Sequence, residues 1–306
     1  MRVLIISANS NFLSWRTKFN HKLIEYDISW PPIKKALFLM TFKPKIKILS
    51  YFYDVIFCEW FGVFAKRTMD TSSKPIYIRL HRTEAHKKDT FKNVNFNKIR
   101  AIITVSNYYK NIVEEKINKK VKVVTIQNGL NIEDFPFKPN INRPLKICTL
   151  SNLTHRKRIF DLIINNPHIE IDIGGDGEEK YILQDTIQKF NSKAKIHGRV
   201  ELPKFYHEHD IFLSNSSDEG CAYNLIEAMS CGLIPLCFKW GGIEEVLPEW
   251  HTYKTYEELN KKLTLISNMT EEELIKIKIQ MRKIVESKFT IELQAEKFYR
   301  VFKNVS

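Results

Sequence analysis

No run of apolar residues in this chain approaches the roughly 20 that a membrane-crossing helix requires. The opening MRVLIIS meets the polar Ala-Asn-Ser-Asn at once and shows no signal-peptide cleavage pattern. The expectation is a cytoplasmic protein. Cysteine is scarce: Cys58, Cys148, Cys221, Cys231 and Cys237 are odd in number and form no C-x-x-C pair, so neither a disulfide framework nor a zinc site is expected. The dinucleotide fingerprint G-x-G-x-x-G is missing too, because Gly175 and Gly177 are followed by Glu178, Glu179 and Lys180. What remains is a chain of 306 residues with 43% hydrophobic and 27% charged residues, which suits two soluble domains of roughly 150 residues each.

The charge is unevenly spread. Residues 1–143 hold 26 Lys and Arg against 11 Asp and Glu, a net +15, whereas the remainder holds 22 against 24, a net −2. A basic first half implies an anionic partner such as nucleic acid, an acidic membrane surface or an acidic substrate, or else a solvated basic surface. Residues 31–53, PPIKKALFLMTFKPKIKILSYFY, interleave Lys34, Lys35, Lys43, Lys45 and Lys47 with aromatic and aliphatic side chains. Such a stretch either lies on an anionic bilayer or packs its apolar side on a sheet. No nucleic-acid-reading motif accompanies the lysines, which makes nucleic acid the weaker partner.

Apolar runs alternate with amphipathic ones. RVLIIS, DVIFCEW, PIYIRLH, AIITVS and VKVVTIQ are strand candidates in the first half; KICTLS, HIEIDIGG, AKIHGRV, DIFLS and LIPLCF follow in the second. This alternation implies two doubly wound parallel α/β sheets. Between them PFKPNINRPL, residues 136–145, has no apolar period and reads as a linker. The expected domains are therefore 1–143 and 144–287, with a last helix over 288–306. Thr255 with Glu258, and Thr270 with Glu273, form capping-box patterns before two of the final helices.

The most informative stretch is FLSNSSDEGCAYNLIEAMSCGLIPLCFKWGGIEEV, residues 212–246. From Ala222 the residues Leu225, Ile226 and Met229 recur at helical spacing, and Gly232 with Pro235 supplies the stop. Residues 215–221 thus form a strand-to-helix turn, where open α/β sheets bind ligands. A helix start favours an anion such as a pyrophosphate. Glu219 precedes the helix and Glu227 follows its first turn, so two carboxylates, each able to accept two hydroxyls, flank that point. A nucleotide sugar has the matching layout.

With its flanking segments this stretch resembles the donor-site signature of GT-B fold retaining glycosyltransferases of family 4 (group 1), whose pattern runs close to PSxxEGFGLxxxEAMACGxPVVxxxxGGxxE. The resemblance implies two Rossmann-like domains with parallel sheets facing a cleft, the amino-terminal one binding acceptor and the other a nucleotide-sugar donor, with the last helix crossing back to the first domain. It implies retaining, metal-independent transfer of a hexose-type sugar to a glycan or lipid-linked anionic acceptor, as in bacterial cell-surface polysaccharide synthesis. A UDP-sugar is the favoured donor, and no cofactor is needed. No D-x-D pair stands near a strand end, which agrees.

The same resemblance assigns residues. Glu227 takes the ribose hydroxyls and Glu219 those of the donor sugar. Gly220, Cys221, Ala222, Tyr223, Asn224 and Leu225 line the turn and helix start, where N–H groups meet the diphosphate. SNLTHRKRIFDLI corresponds to the family's GRLxxxKG turn: Lys157 matches the lysine, Asn152 stands where the arginine is expected, and Arg158 where the glycine is, so either Arg156 or Arg158 substitutes from nearby or the diphosphate is held less tightly. Gly198 of HGRV lies by the nucleotide base. In the first domain His81 of RLHRTEAH, with Arg79, Arg82 and Glu84 around it, is the candidate for sugar contact and help at the reaction centre. HEHD at 207–210 is expected to be solvated. The first loop, ANSNFLSW, lacks the Gly-Gly pair of many relatives. A catalytically silent sugar-nucleotide-binding relative, or a basic nucleic-acid-binding protein, are the alternatives.

Overall fold

A computed structural model describes residues 1–8, 13–27 and 30–304. Asn9, Ser10 and Asn11 of the first loop lie outside the described residues. The chain forms two compact units, Met1–Gly129 with Ile291–Ser306, and Leu130–Thr290.

The first unit runs β1 (Arg2–Ser7), β2 (Asn20–Glu25), α1 (Pro32–Phe52), β3 (Val55–Glu59), α2 (Val63–Thr71), β4 (Ile76–Leu80), α3 (Arg82–His86), β5 (Ile99–Thr104), α4 (Asn107–Lys116) and β6 (Val123–Thr125). Its six strands pair in parallel in the order β2-β1-β3-β4-β5-β6. The inner strands are buried from end to end because helices cover both faces, and their sequences are accordingly apolar runs rather than alternations. β2 escapes a reading of that kind: NHKLIE buries only one residue, as an edge strand does.

In the second unit β7 (Ile147–Leu150), α5 (Ile159–Asn165), β8 (Asp172–Gly174), α6 (Lys180–Lys189), β9 (Lys195–Gly198), α7 (Lys204–His207), β10 (Ile211–Ser214), α8 (Tyr223–Cys231), β11 (Ile234–Phe238), β12 (Thr252–Tyr253), α9 (Tyr256–Ser267) and α10 (Glu271–Lys288) come one after another. The sheet order is β12-β11-β10-β7-β8-β9, all parallel. Strand order therefore reverses between β7 and β10, which is where a doubly wound sheet opens a crevice at its carboxyl ends. The final helix α11 (Ile291–Asn304) belongs to the first unit, where Phe298 stacks on Trp15 at 4.0 Å between centroids and Phe302 packs edge-on to Phe57.

The units divide upstream of the proline-rich segment 136–145 because that segment is bound to the second one. Lys138 N–H donates to Cys231 O, Asn140 Nδ2 to His207 O, and Asn142 to the Asp210 carboxylate. HEHD is not solvated as expected. His209 Nε2 lies 3.0 Å from the accepting Asp172 carboxylate and its Nδ1 lies 2.7 Å from Phe205 O, while Asp210 is fully buried. Only Glu208 of the four is exposed. Of the two capping boxes, Thr270–Glu273 is complete, but the Glu258 carboxylate accepts from Lys254 N–H instead of closing on Thr255.

Asp210 is the hub of this unit's base. Its carboxylate accepts from Lys278 Nζ at 3.0 Å, from Asn142 and from Lys146 N–H, and Lys278 also donates to Asn140 O. Burial lowers the Lys278 pKa, and Asp210 works against that shift. Removing one partner of a buried pair leaves the other charge uncompensated. Lys278→Ala is expected to destabilise the second unit by about 3 kcal/mol, read as a lower thermal-unfolding midpoint; an unchanged midpoint would show that the remaining donors suffice for Asp210.

Candidate functional site

The crevice between β7 and β10 is floored by three turns laced together through backbone atoms. Ser151 N–H donates to Gly174 O, Leu153 N–H to Asp176 O, and Glu179 N–H to Leu153 O. Gly175 N–H reaches Gly198 O at 2.6 Å. This contact needs glycine. A Cβ on Gly175, whose φ is +123°, would stand 1.8 Å from Ser151 O, and one on Gly177 would stand 2.4 Å from Leu153 O. GGDG is thus a flat tile beneath the turn after β7, and the Gly198 carbonyl is committed to holding it.

Above this floor the turn Asn152–Arg158 meets the turn Asn215–Ala222. Lys157, buried, donates to Glu219 Oε1 at 2.5 Å, and Arg156 donates to the same oxygen at 2.6 Å and to Asp218 O. Ser217 N–H returns a bond to Arg156 O. Burial pushes the Glu219 pKa up, but Lys157 and then Arg156 more than offset it and hold the carboxyl below its ordinary value. Among the described residues no hydrogen bond reaches Oε2 of Glu219. The cluster is therefore one carboxylate and two cations, with a net positive charge.

Arg158 does something else. It adopts the left-handed conformation, φ 52° and ψ 35°, at the position where the resembling pattern has glycine. Its guanidinium lies 4.2 Å from the Phe238 ring centroid and its Nε donates to Asp161 at 2.8 Å. Arg156, and not Arg158, is the cation beside Lys157 and Glu219. Asn152 is exposed.

α8 begins at Tyr223 with Ala222 as a cap that contributes no side-chain bond. The first-turn N–H groups of a helix have no acceptor within it, and here that of Leu225 is met by the side chain of Asn224, whose Nδ2 donates to Leu150 O at 2.5 Å. Asn224 thus pins α8 to the end of β7. Gly220 is half-buried, and Cys221 and Ala222 are buried in the turn.

One turn into α8, Glu227 receives the hydroxyl of Tyr206 on Oε2 at 2.9 Å. Tyr206 sits on α7 and is fully buried, donating also toward Asn224 O at 3.2 Å. Burial raises the Glu227 pKa, partly countered by that bond. Sequence reasoning missed Tyr206 because it lies 21 residues away on a four-residue helix with no periodicity to betray it. Each of the two carboxylates therefore has one oxygen held by protein and one with no bond among the described residues. That differs from the expectation that each would take a pair of hydroxyls.

In the first unit His81 caps α3, with the Glu84 carboxylate accepting from His81 N–H at 3.2 Å. Its Nε2 is 2.5 Å from Glu59 Oε1, and its ring stacks on Trp60 at 4.1 Å. Arg79, fully buried, stands 3.7 Å from the same oxygen and donates to Asn128 Oδ1 and Ile126 O. Trp60 takes φ 77°, which is uncommon for a bulky residue and typical of strained positions at functional sites. Glu59 and Trp60 went unremarked in the sequence; their signal was a carboxylate ending an apolar strand. All five cysteines are free and buried, and burial pushes the Cys58 and Cys231 thiols up to about 12, so neither of these two is a poised nucleophile. Among the described residues no group of three His, Cys, Asp or Glu converges as metal ligands would.

Residues 131–281 match the family model of the glycosyl transferases group 1. The gpi3 subunit of the phosphatidylinositol N-acetylglucosaminyltransferase of Schizosaccharomyces pombe is 31% identical over 205 residues, covering 60% of this chain and 43% of the yeast protein. The GtfA subunit of the UDP-N-acetylglucosamine–peptide N-acetylglucosaminyltransferase of Streptococcus pneumoniae is 25% identical over 156 residues, 47% of this chain and 31% of that one. The chain thus spans less than half the length of these relatives. Anabaena Alr3699/HepE, solved in complex with UDP-glucose, superposes with a TM-score of 0.78 at 16% identity, covering 99% of this chain and 100% of that one. The two parallel six-stranded sheets are accordingly a GT-B fold, and the crevice of the second unit lies inside the segment that matches the glycosyl transferases group 1.

Proposed function

We propose that this protein is a retaining glycosyltransferase that moves a hexose-type sugar from a UDP-sugar to a glycan or lipid-linked acceptor, without a divalent metal, in bacterial cell-surface polysaccharide synthesis. The observation that carries the reading is the pair Glu219 and Glu227 on either side of the α8 start, with Lys157 and Arg156 gathered on Glu219. The diphosphate takes the helix start and the two cations, which supply the positive charge a metal supplies elsewhere. Oε1 of Glu227 accepts a ribose hydroxyl, and Oε2 of Glu219 a hydroxyl of the sugar. The names of the relatives, UDP-N-acetylglucosamine among them, favour uracil as the base.

In the transfer the bond from the anomeric carbon to the β-phosphate oxygen breaks as the acceptor oxygen bonds to that carbon on the same face. The acceptor's proton passes to the departing phosphate, so UDP leaves and no protein nucleophile is required. Lys157 and Arg156 stabilise the charge that grows on UDP, the main electrostatic task of such a site. His81 contacts the transferred sugar in this reading, and Glu59 and Trp60 fix its ring.

Glu227→Ala is expected to weaken UDP binding by about 2 kcal/mol, roughly thirtyfold, the scale of a hydrogen bond to a charged group. Calorimetry that returned the wild-type affinity would sink the donor-site assignment. Tyr206→Phe keeps the ring's packing and removes one donor, so a loss of about 1 kcal/mol is expected. That loss should vanish for a uridine nucleotide without ribose hydroxyls; an equal loss for both ligands would assign Tyr206 a purely structural role.

The opposite shifts of the two carboxyls give a pH signature. As pH falls, Glu227, raised by burial, takes a proton while Glu219, held low by its cations, is still ionised. Protonating a carboxyl whose folded pKa is raised favours the folded state, so the Glu227 step itself lowers UDP affinity without destabilising the fold. Glu227→Gln should remove this pH-dependent step; a step that survives in that variant belongs to another group. A thermal-shift panel of UDP-, GDP- and ADP-sugars tests the base, with the UDP-sugar expected to give the largest rise.

A further inference from the structure

α1 is apolar on two opposite faces. One face is core: Phe42 and Ile46 are buried, the Phe42 ring packs edge-on to Phe64 of α2, and buried Ser50 meets the Ser73 hydroxyl at 2.9 Å. A surface helix ordinarily shows water a polar opposite face. Here Ile33, Leu37, Met40, Ile48 and Tyr51 recur at helical spacing, with Pro44 between Met40 and Ile48, and all five are exposed by 60 to 77%. Phe52 beside them is 58% exposed. Six large apolar side chains on one face exceed what scattered surface hydrophobics account for, and such patches mark interaction surfaces.

The chemistry of the partner is set by the residues bordering the stripe. At 3.6 residues per turn Lys34 and Lys45 fall on one flank and Lys43 and Lys47 on the other, all exposed. Residues 31–53 contain five lysines and no acidic residue. Lys34 stands 4.2 Å over the ring of the half-buried Trp30 just before the helix. An apolar stripe between two rows of lysine, whose stems lie along apolar surface while the ammonium groups reach phosphates, is the pattern of a helix lying in a bilayer interface. A second copy of the chain is the poorer fit, since a two-fold contact through this face would set lysine rows against lysine rows. No helix among the described residues is long and apolar enough to cross a membrane.

We propose that the outward face of α1, Ile33 to Phe52, docks the protein on an anionic lipid surface, the apolar stripe entering the headgroup boundary and the flanking lysines meeting lipid phosphates. The proposal rests on α1 alone and stands whether or not the sugar-transfer reading does. It adds a way to hold the first unit at the surface where a lipid-linked acceptor resides.

The test is co-sedimentation of the full chain with vesicles of phosphatidylcholine alone or mixed with phosphatidylglycerol. Binding is expected only to the mixed vesicles and to weaken as salt rises. Substituting Leu37→Ser, Met40→Ser and Ile48→Ser together should lower the partition coefficient by roughly tenfold or more, because the transfer of several methylenes is lost. Each lysine replaced, as in Lys43→Gln or Lys47→Gln, should lower it by about fivefold. All these side chains are exposed, and the thermal shift given by UDP should be the same in every variant, which separates failure of docking from failure of nucleotide binding. Equal binding to both vesicle types, or wild-type binding by the serine variant, would overturn the proposal. So would a dimer in light scattering without vesicles that the serine variant abolishes, which would assign the face to a second copy.

Discussion

The second unit is organised around a single carboxylate oxygen, Glu219 Oε1, on which two cations from a turn 62 residues upstream converge. That meeting is possible only because strand order reverses between β7 and β10, so that the turns leaving their carboxyl ends face each other with no helix between them. The turn after β7 must also sit low enough for Lys157 to reach. The glycines at 175 and 177 see to this, since any side chain there would collide with the backbone of residues 151–153. Sheet topology, glycine placement and ion pairing are thus one constraint seen at three scales.

This arrangement also settles how the positive charge is kept. Lys157 and Arg156 are both within hydrogen-bond reach of Glu219, and a buried lysine without such a partner would tend to lose its proton. Glu219 therefore does more than accept a bond: it offsets the burial of Lys157 and orients both cations in a crevice that opens at the start of α8. The same logic, inverted, governs Glu227. Tyr206 is an uncharged partner, so burial wins and the Glu227 pKa rises. Two carboxyls eight positions apart in sequence acquire different electrostatic characters because one faces a basic turn and the other a phenol.

Much of this architecture was legible in the order of residues. The apolar runs of the inner strands and the spacing of Leu225, Ile226 and Met229 identify their elements because burial on fixed faces leaves a period. Where burial is partial the period fails. β2 is an edge strand, β12 spans two residues, and His209 with Asp210 looked like solvent-facing HEHD because buried charges are recognisable only through partners distant in sequence. Of the crevice, the carboxylates and Lys157 were readable from a pattern, while Tyr206 and the choice of Arg156 over Arg158 were not. Which arginine reaches Glu219 depends on Arg158 turning left-handed toward Phe238, a backbone choice that nothing in HRKR announces.

At Asn152, where the resembling pattern places an arginine, this chain has an exposed amide, and a neutral group there supplies no charge. Arg156 restores the count from within the same turn but through a different geometry, tied by its own carbonyl to Ser217 and by its guanidinium to Asp218 O. Its position is thus set by the 215–222 turn and not by the turn that carries it. A change in that loop, even at Ser217, would then move a cation as well as a backbone, which couples the two sides of the crevice more tightly than a self-supporting arginine would.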